Sequence, residues 1–232
     1  MALKSFRKPF VLVLLSLIFV ISSPPSTASA KSIRADTFPS IQPKSLFGHA
    51  TNRLIKNHNP LEASFIALED FTERIKNDRA DQLVGVYVQD LLAARIIQQP
   101  AGSPEFVSPR GNIVTQFSDA TQYRSTGLLA HNYLAGAAFH SLQKGQLVQL
   151  IHGDGHITEF VVDEAMHFQA LNPKSPTSDF IDLSSGERLS AAKLFLMAYN
   201  HPGSVVFQTC INAEGNKSWG RLFIIAIPSS VN

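Results

Sequence analysis

Two apolar runs near the C-terminus, joined by a short polar loop, constrain the fold most. The first is Ser204-Val-Val-Phe-Gln-Thr-Cys210. A turn-rich stretch follows, from Ile211 to Gly220, and a second run opens on Arg221 (Arg-Leu-Phe-Ile-Ile-Ala-Ile-Pro). Two β-rich runs linked by a Gly/Asn loop predict a hairpin. Pairing them sets the end of one strand beside the start of the next, with opposed side chains about 5 Å apart at Cβ. Cys210, the one cysteine of the chain, then lies at the same sheet rim as Arg221. A thiol and a guanidinium together are an odd choice for packing alone.

The N-terminus bears on where that thiol works. Lys4, Arg7 and Lys8 form a basic region, Phe10 to Ile21 an apolar core, and Ala28-Ser29-Ala30 a small-residue cleavage site. These are the three parts of a secretory signal peptide. The core is shorter than the ~20 residues that span a bilayer. The reading is export, with cleavage near Ala30 and membrane anchoring less favoured. An unpaired cysteine in an exported protein is either a reactive or intermolecular thiol or a small buried hydrophobe.

The mature portion, about 200 residues, suits one domain with an N-terminal appendage. A hydrophobic content of 44% is ample for a core, and a net charge of +2 argues against a nucleic-acid partner. Residues 31–58 are polar, carry Pro39 and Pro43, and read as a linker. Asn59-Pro60 looks like a helix start, with Leu61, Phe65, Leu68, Phe71 and Ile75 on one stripe. Residues 59–82 are therefore an expected helical appendage packed on the domain 83–232.

From Leu83 onward, strand signals dominate: Val84–Val88, Leu91–Ile97, the run Thr126–His131, Gln146–His152 and Ile157–Asp163, the last two joined by the turn Gly153-Asp154-Gly155. Ala135–Leu142 reads as a helical turn. Residues 164–202 read as a long connection holding one helix near Ser190–Tyr199, capped by Ser190. Many short strands with irregular links predict a mainly β fold, an antiparallel barrel. No Gly-rich phosphate loop and no metal-ligand spacing stands out, so neither cofactor nor metal is expected.

A reactive cysteine needs a histidine near in space. Of eight histidines, His131 is singled out because it closes an apolar strand, where a side chain can project from a barrel rim. His140, His167 and His201 carry no special signal.

Three segments resemble the sortase family. Gly127-Leu-Leu-Ala-His131-Asn132, with Phe139 and Leu142-Gln-Lys-Gly145-Gln-Leu-Val148, is similar to that family's histidine region. Val206-Phe-Gln-Thr209-Cys210 resembles its Thr-Leu-x-Thr-Cys signature, and Arg221 opens the next strand where sortases place an arginine. The likeness covers roughly residues 83–228. Val206 and Phe207 depart from the first Thr and the Leu of the signature.

The resemblance implies a closed antiparallel sortase-like β-barrel and a cysteine transpeptidase. It implies that Cys210 is the nucleophile, His131 the general acid and base, and Arg221 the oxyanion stabiliser. It implies a substrate peptide of the Leu-Pro-x-Thr-Gly kind, a thioacyl enzyme and an amine acceptor. Phe168 and Leu171, and Phe180 with them, become candidates for an apolar substrate slot, and Thr209 a further substrate contact. The membrane surface stays open as a partner, and a monomer is expected. A cysteine endopeptidase with water as acceptor shares the same trio. A non-enzymatic barrel that binds peptide or cell-wall material is the third reading, and an inaccessible thiol would be its mark.

Overall fold

The computed structural model describes residues 66–175 and 177–229. The expected signal peptide, the linker and the helix start at Asn59-Pro60 lie outside the described residues.

Among the described residues, ten strands and three α-helices follow in order: α1 (Leu68–Ile75), β1 (Leu83–Val88), β2 (Leu92–Gln98), β3 (Ile113–Phe117), β4 (Thr126–Leu129), α2 (Gly136–Phe139), β5 (Leu147–His152), β6 (Ile157–Ala170), β7 (Phe180–Asp182), β8 (Arg188–Leu189), α3 (Ala191–Tyr199), β9 (Val205–Ala213) and β10 (Asn216–Pro228). The sheet runs β10-β9-β4-β3-β2-β1-β5-β6-β7-β8, and β10 also pairs with β6. That extra pairing closes eight strands into a barrel and leaves β7 and β8 as a flap beyond β6. The fold is mainly β, as expected. Most pairings are antiparallel, while β2–β3 and β4–β9 run parallel.

Alternation along the strands sorts side chains to two faces. One buried cluster takes residues from all eight barrel strands, including Val86, Leu92, Val114, Leu128, Leu150, Val162, Phe207 and Ile224. This is the barrel interior. A second cluster lies on the outer face and joins Leu129, Met166, Phe168, Val206 and Phe223 to Phe180, Leu194 and Tyr199. It is the layer where α3, β7 and β8 cover the barrel wall. Ser190 caps α3, its Oγ accepting from the Lys193 amide at 3.2 Å. A third cluster seats Phe71 and Ile75 of α1 against Val84, Tyr87 and Ile151.

Several boundaries differ from expectation. Helix α1 starts at Leu68, since Ala67 just before it is extended (φ −64°, ψ 149°). Strand β6 runs on to Ala170, since its far half pairs with β10 from Phe160 to Gln169. Phe168 is therefore a strand residue rather than part of a loop. Strand β3 has no counterpart in the sequence reading: Ile113-Val114-Thr115 is short, and it is fixed by pairing with β2. The hairpin turn between β9 and β10 narrows to Glu214 and Gly215, both left-handed (φ 52° and 73°), as a tight primed turn requires. No helix among the described residues is long and apolar enough to cross a membrane.

Candidate active site

Arg221 and Cys210 are direct partners across β10 and β9. On β9, Val206 belongs to the outer cluster and Val205 and Phe207 to the interior. Cys210 shares the phase of Val206, so its thiol faces outward. On β10, Phe223 and Ile225 are outer residues, which puts Arg221 on that same face. The hairpin predicted from the sequence thus forms with the thiol and the guanidinium opposed.

Strand β4, the other neighbour of β9, leads to His131. Its parallel ladder with β9 ends at Leu129↔Gln208, and the Ala130 amide still donates to Gln208 O at 3.3 Å. His131 follows two residues after Leu129, beyond the end of β4, and the backbone turns there, since the amides of Leu134 and Gly136 fold back to its carbonyl. Cys210 and Arg221 therefore share one face of β9 and β10, and His131 lies just past the end of β4, the strand on the other side of β9.

The peptide carrying His131 is tied down on every side. Thr209 Oγ1 donates to Ala130 O at 2.8 Å. The amides of Leu134 and Gly136 both donate to His131 O, at 2.9 and 3.1 Å. Asn132 Nδ2 donates to Lys217 O at 3.0 Å, which joins this loop to the β10 hairpin. Gly136 is required by space: a Cβ there would lie 2.5 Å from Thr209 Oγ1 and 2.7 Å from Ala130 O and His131 O. The Tyr133 ring stacks on the imidazole at 5.2 Å and 18°, with Lys217 Nζ 5.6 Å from the Tyr133 centroid.

Arg221 is 1% exposed. Its Nη1 donates to Ser218 O at 3.0 Å and to Gly220 O at 2.8 Å. Nε has no hydrogen-bond partner among the described residues, and no carboxylate there pairs with this guanidinium. A buried cation without a counter-ion is costly, and its Nε proton is unpaired although shielded from solvent.

Cys210 is 4% exposed. Burial pushes its thiol up from the ordinary 9.0, opposed by the Arg221 charge and a hydrogen bond with the Ser218 side chain. Burial pushes His131 down from 6.5, opposed by a hydrogen bond with the Val107 backbone. Both shifts favour the uncharged forms. The resting pair near neutral pH is a thiol and a neutral imidazole, and the thiolate–imidazolium form is a minority.

The expected substrate contacts fare differently. Phe168 and Phe180 are fully buried, at 0%, and pack with Phe223 and Tyr199 in the outer-face core. Neither lines an open slot. Thr209 is also 0% exposed, and its hydroxyl is engaged with Ala130 O; it positions the His131 loop rather than touching a ligand. Leu171, 45% exposed just beyond β6, remains accessible. Two residues at the site went unnoticed in the sequence. Ser218 meets the thiol because β10 carries two extra residues between Asn216 and Gly220 relative to β9. His140 Nε2 lies 3.1 Å from Cys210 O. No sequence signal pointed to either.

No protein-family model matches this chain, and no curated protein matches it. Among solved structures the chain is similar to sortases. A sortase from Actinomyces oris has a TM-score of 0.43 at 11% identity, covering 67% of this chain and 84% of that one. Listeria monocytogenes sortase A has a TM-score of 0.39 at 12% identity, covering 65% of this chain and 89% of that one. A lid mutant of Streptococcus agalactiae sortase C1 has a TM-score of 0.40 at 14% identity, covering 66% and 74%.

Proposed function

We propose that this protein is a sortase-like cysteine transpeptidase acting outside the cytoplasm. The observation that carries the reading is Cys210 directly opposite Arg221 on β9 and β10, with His131 just past the end of the neighbouring strand β4.

In this reading a substrate peptide docks so that its scissile carbonyl lies over Cys210. The thiolate attacks the carbonyl carbon, and the oxyanion accepts hydrogen bonds from the Arg221 guanidinium and nearby amides. The C–N bond breaks as His131, in its imidazolium form, gives its proton to the leaving amine. An acceptor amine then attacks the thioester, returns a proton to His131 and releases the thiolate. Placed proton transfer contributes about 10² to 10⁴ in rate and an oxyanion donor about 10² to 10³. Complete ionisation of an ordinary thiol gains only about thirtyfold. The guanidinium and the imidazole therefore matter more than thiol acidity, which agrees with a site that leaves the thiol protonated. The substrate class is a peptide sorting signal of the Leu-Pro-x-Thr-Gly kind, and Leu171 is the one proposed apolar contact that solvent reaches.

The buried thiol favours a second reading, a peptide-binding barrel without turnover. Against it stands the thiol's polar setting: Arg221 and Ser218 surround it, whereas a purely packing cysteine sits among apolar groups. Incubation with a panel of sorting-signal peptides, with and without an added amine, separates the readings. Transfer products that increase with amine support the transpeptidase. Hydrolysis alone, indifferent to amine, supports an endopeptidase, and no turnover with any peptide supports the binding barrel.

A further inference from the structure

One histidine touches Cys210, on its backbone rather than its thiol. Along a strand, alternate residues direct their N–H and C=O groups to opposite neighbours. Gln208 O points to β4, where it accepts from Ala130 N. Cys210 O, two residues on, points to the same side. By then the chain of β4 has turned away, so no strand supplies a donor. His140 Nε2 takes that place at 3.1 Å.

His140 is set there by its neighbour. Phe139, fully buried, docks α2 on β9 through an edge contact with Phe207 at 5.0 Å. The ring of His140 follows at the C-cap of α2. A carbonyl oxygen only accepts, so Nε2 must carry a hydrogen. That fixes the Nε2–H tautomer and leaves His140 no proton-accepting role at this nitrogen.

We propose that His140 is a positioning residue that closes the open edge of β9 at Cys210 and holds the nucleophile in register with His131 and Arg221. The consequence for catalysis rests on the transpeptidase reading, while the consequence for the strand edge does not.

The two consequences have opposite signs, which makes them distinguishable from a proton-transfer role. Without the bond, the end of β9 opens locally more often. A buried thiol reacts with alkylating reagents through such openings. One net hydrogen bond corresponds to about a fivefold change in the open population. In His140→Leu, iodoacetamide should therefore label Cys210 about fivefold faster, while peptide turnover falls by a similar factor in kcat. His140→Gln carries an amide donor at comparable reach and should return both rates toward wild type. The extra labelling should be insensitive to low urea, because local opening exposes little surface.

Labelling of His140→Leu that is unchanged or slower, as loss of a base would make it, overturns the proposal. So does a rate that climbs steeply with low urea, which marks global unfolding, or a Gln variant no different from Leu. If no peptide is ever turned over, the transpeptidase reading fails, and the labelling arm still decides the role of His140.

Discussion

Replacing Arg221 with methionine should make the protein more stable and nearly inactive. Arg221 is 1% exposed and has no carboxylate partner among the described residues. Exchanging buried ionic groups for apolar ones of similar volume gains about 1–4 kcal/mol. Against that, Ser218 O and Gly220 O lose their donor, at about 1 kcal/mol each. Taking the middle of the range, the net is a gain of about 0.5 kcal/mol, or about 1–2 °C in Tm for a chain of this size. Turnover should fall by about 10² to 10³ with the oxyanion donor gone. Cys210 should also label more slowly at neutral pH, because the guanidinium no longer offsets the burial that pushes the thiol up. Calorimetry of wild type, Arg221→Met and Arg221→Ala, with a peptide-cleavage assay and timed alkylation of Cys210, measures all three effects. A methionine variant that melts several degrees below wild type, or that keeps its activity, refutes the reasoning: the guanidinium would then be a structural strut.

Thr209→Val removes the hydroxyl that satisfies the buried Ala130 O; it should cost about 1–3 kcal/mol and slow turnover through the His131 loop, while Thr209→Ser keeps the bond and most of the activity. Gly136→Ala forces a Cβ against Thr209 Oγ1 and two carbonyl oxygens, so it should lower Tm and turnover together, measured by melting and kinetics on the same sample. The pH dependence of kcat/KM should be a broad bell. The active form needs a protonated His131 and an ionised Cys210. Its fraction is level between the two pKa values, falls below the His131 value, which lies under 6.5, and falls above the Cys210 value, which lies over 9.0. A narrow optimum between 6.5 and 9.0 would contradict those shifts.

How far the sequence spoke depended on the range of each interaction. The Cys210–Arg221 pairing was legible because a hairpin is local: two apolar runs and a Gly-containing turn determine it, and only the loop length was too generous. The barrel was legible as a class from short strands and the Gly153-Asp154-Gly155 turn. The parallel contacts of β2 with β3 and β4 with β9 were not, since parallel pairing joins segments with no local signature. Phe168 was misplaced for the same reason. Its strand is stabilised by β10, more than 50 residues away in sequence, so an apolar loop residue and a buried strand residue looked alike. Thr209 was noticed through a motif, but its partner Ala130 O is a backbone atom that sequence does not display. His140 was passed over because its distinction is a single bond to the carbonyl of Cys210, and histidines in helical turns are common.

The central claim is that Cys210 forms an acyl enzyme with help from His131 and Arg221. Mass spectrometry of the intact protein after brief exposure to a sorting-signal peptide tests it most directly. The account predicts a mass increase equal to the acyl fragment, located on Cys210, discharged by added amine, absent in Cys210→Ala and strongly reduced in His131→Ala and Arg221→Met. Peptide cleavage that persists in Cys210→Ala, or an adduct that forms equally well without His131 and Arg221, would contradict it.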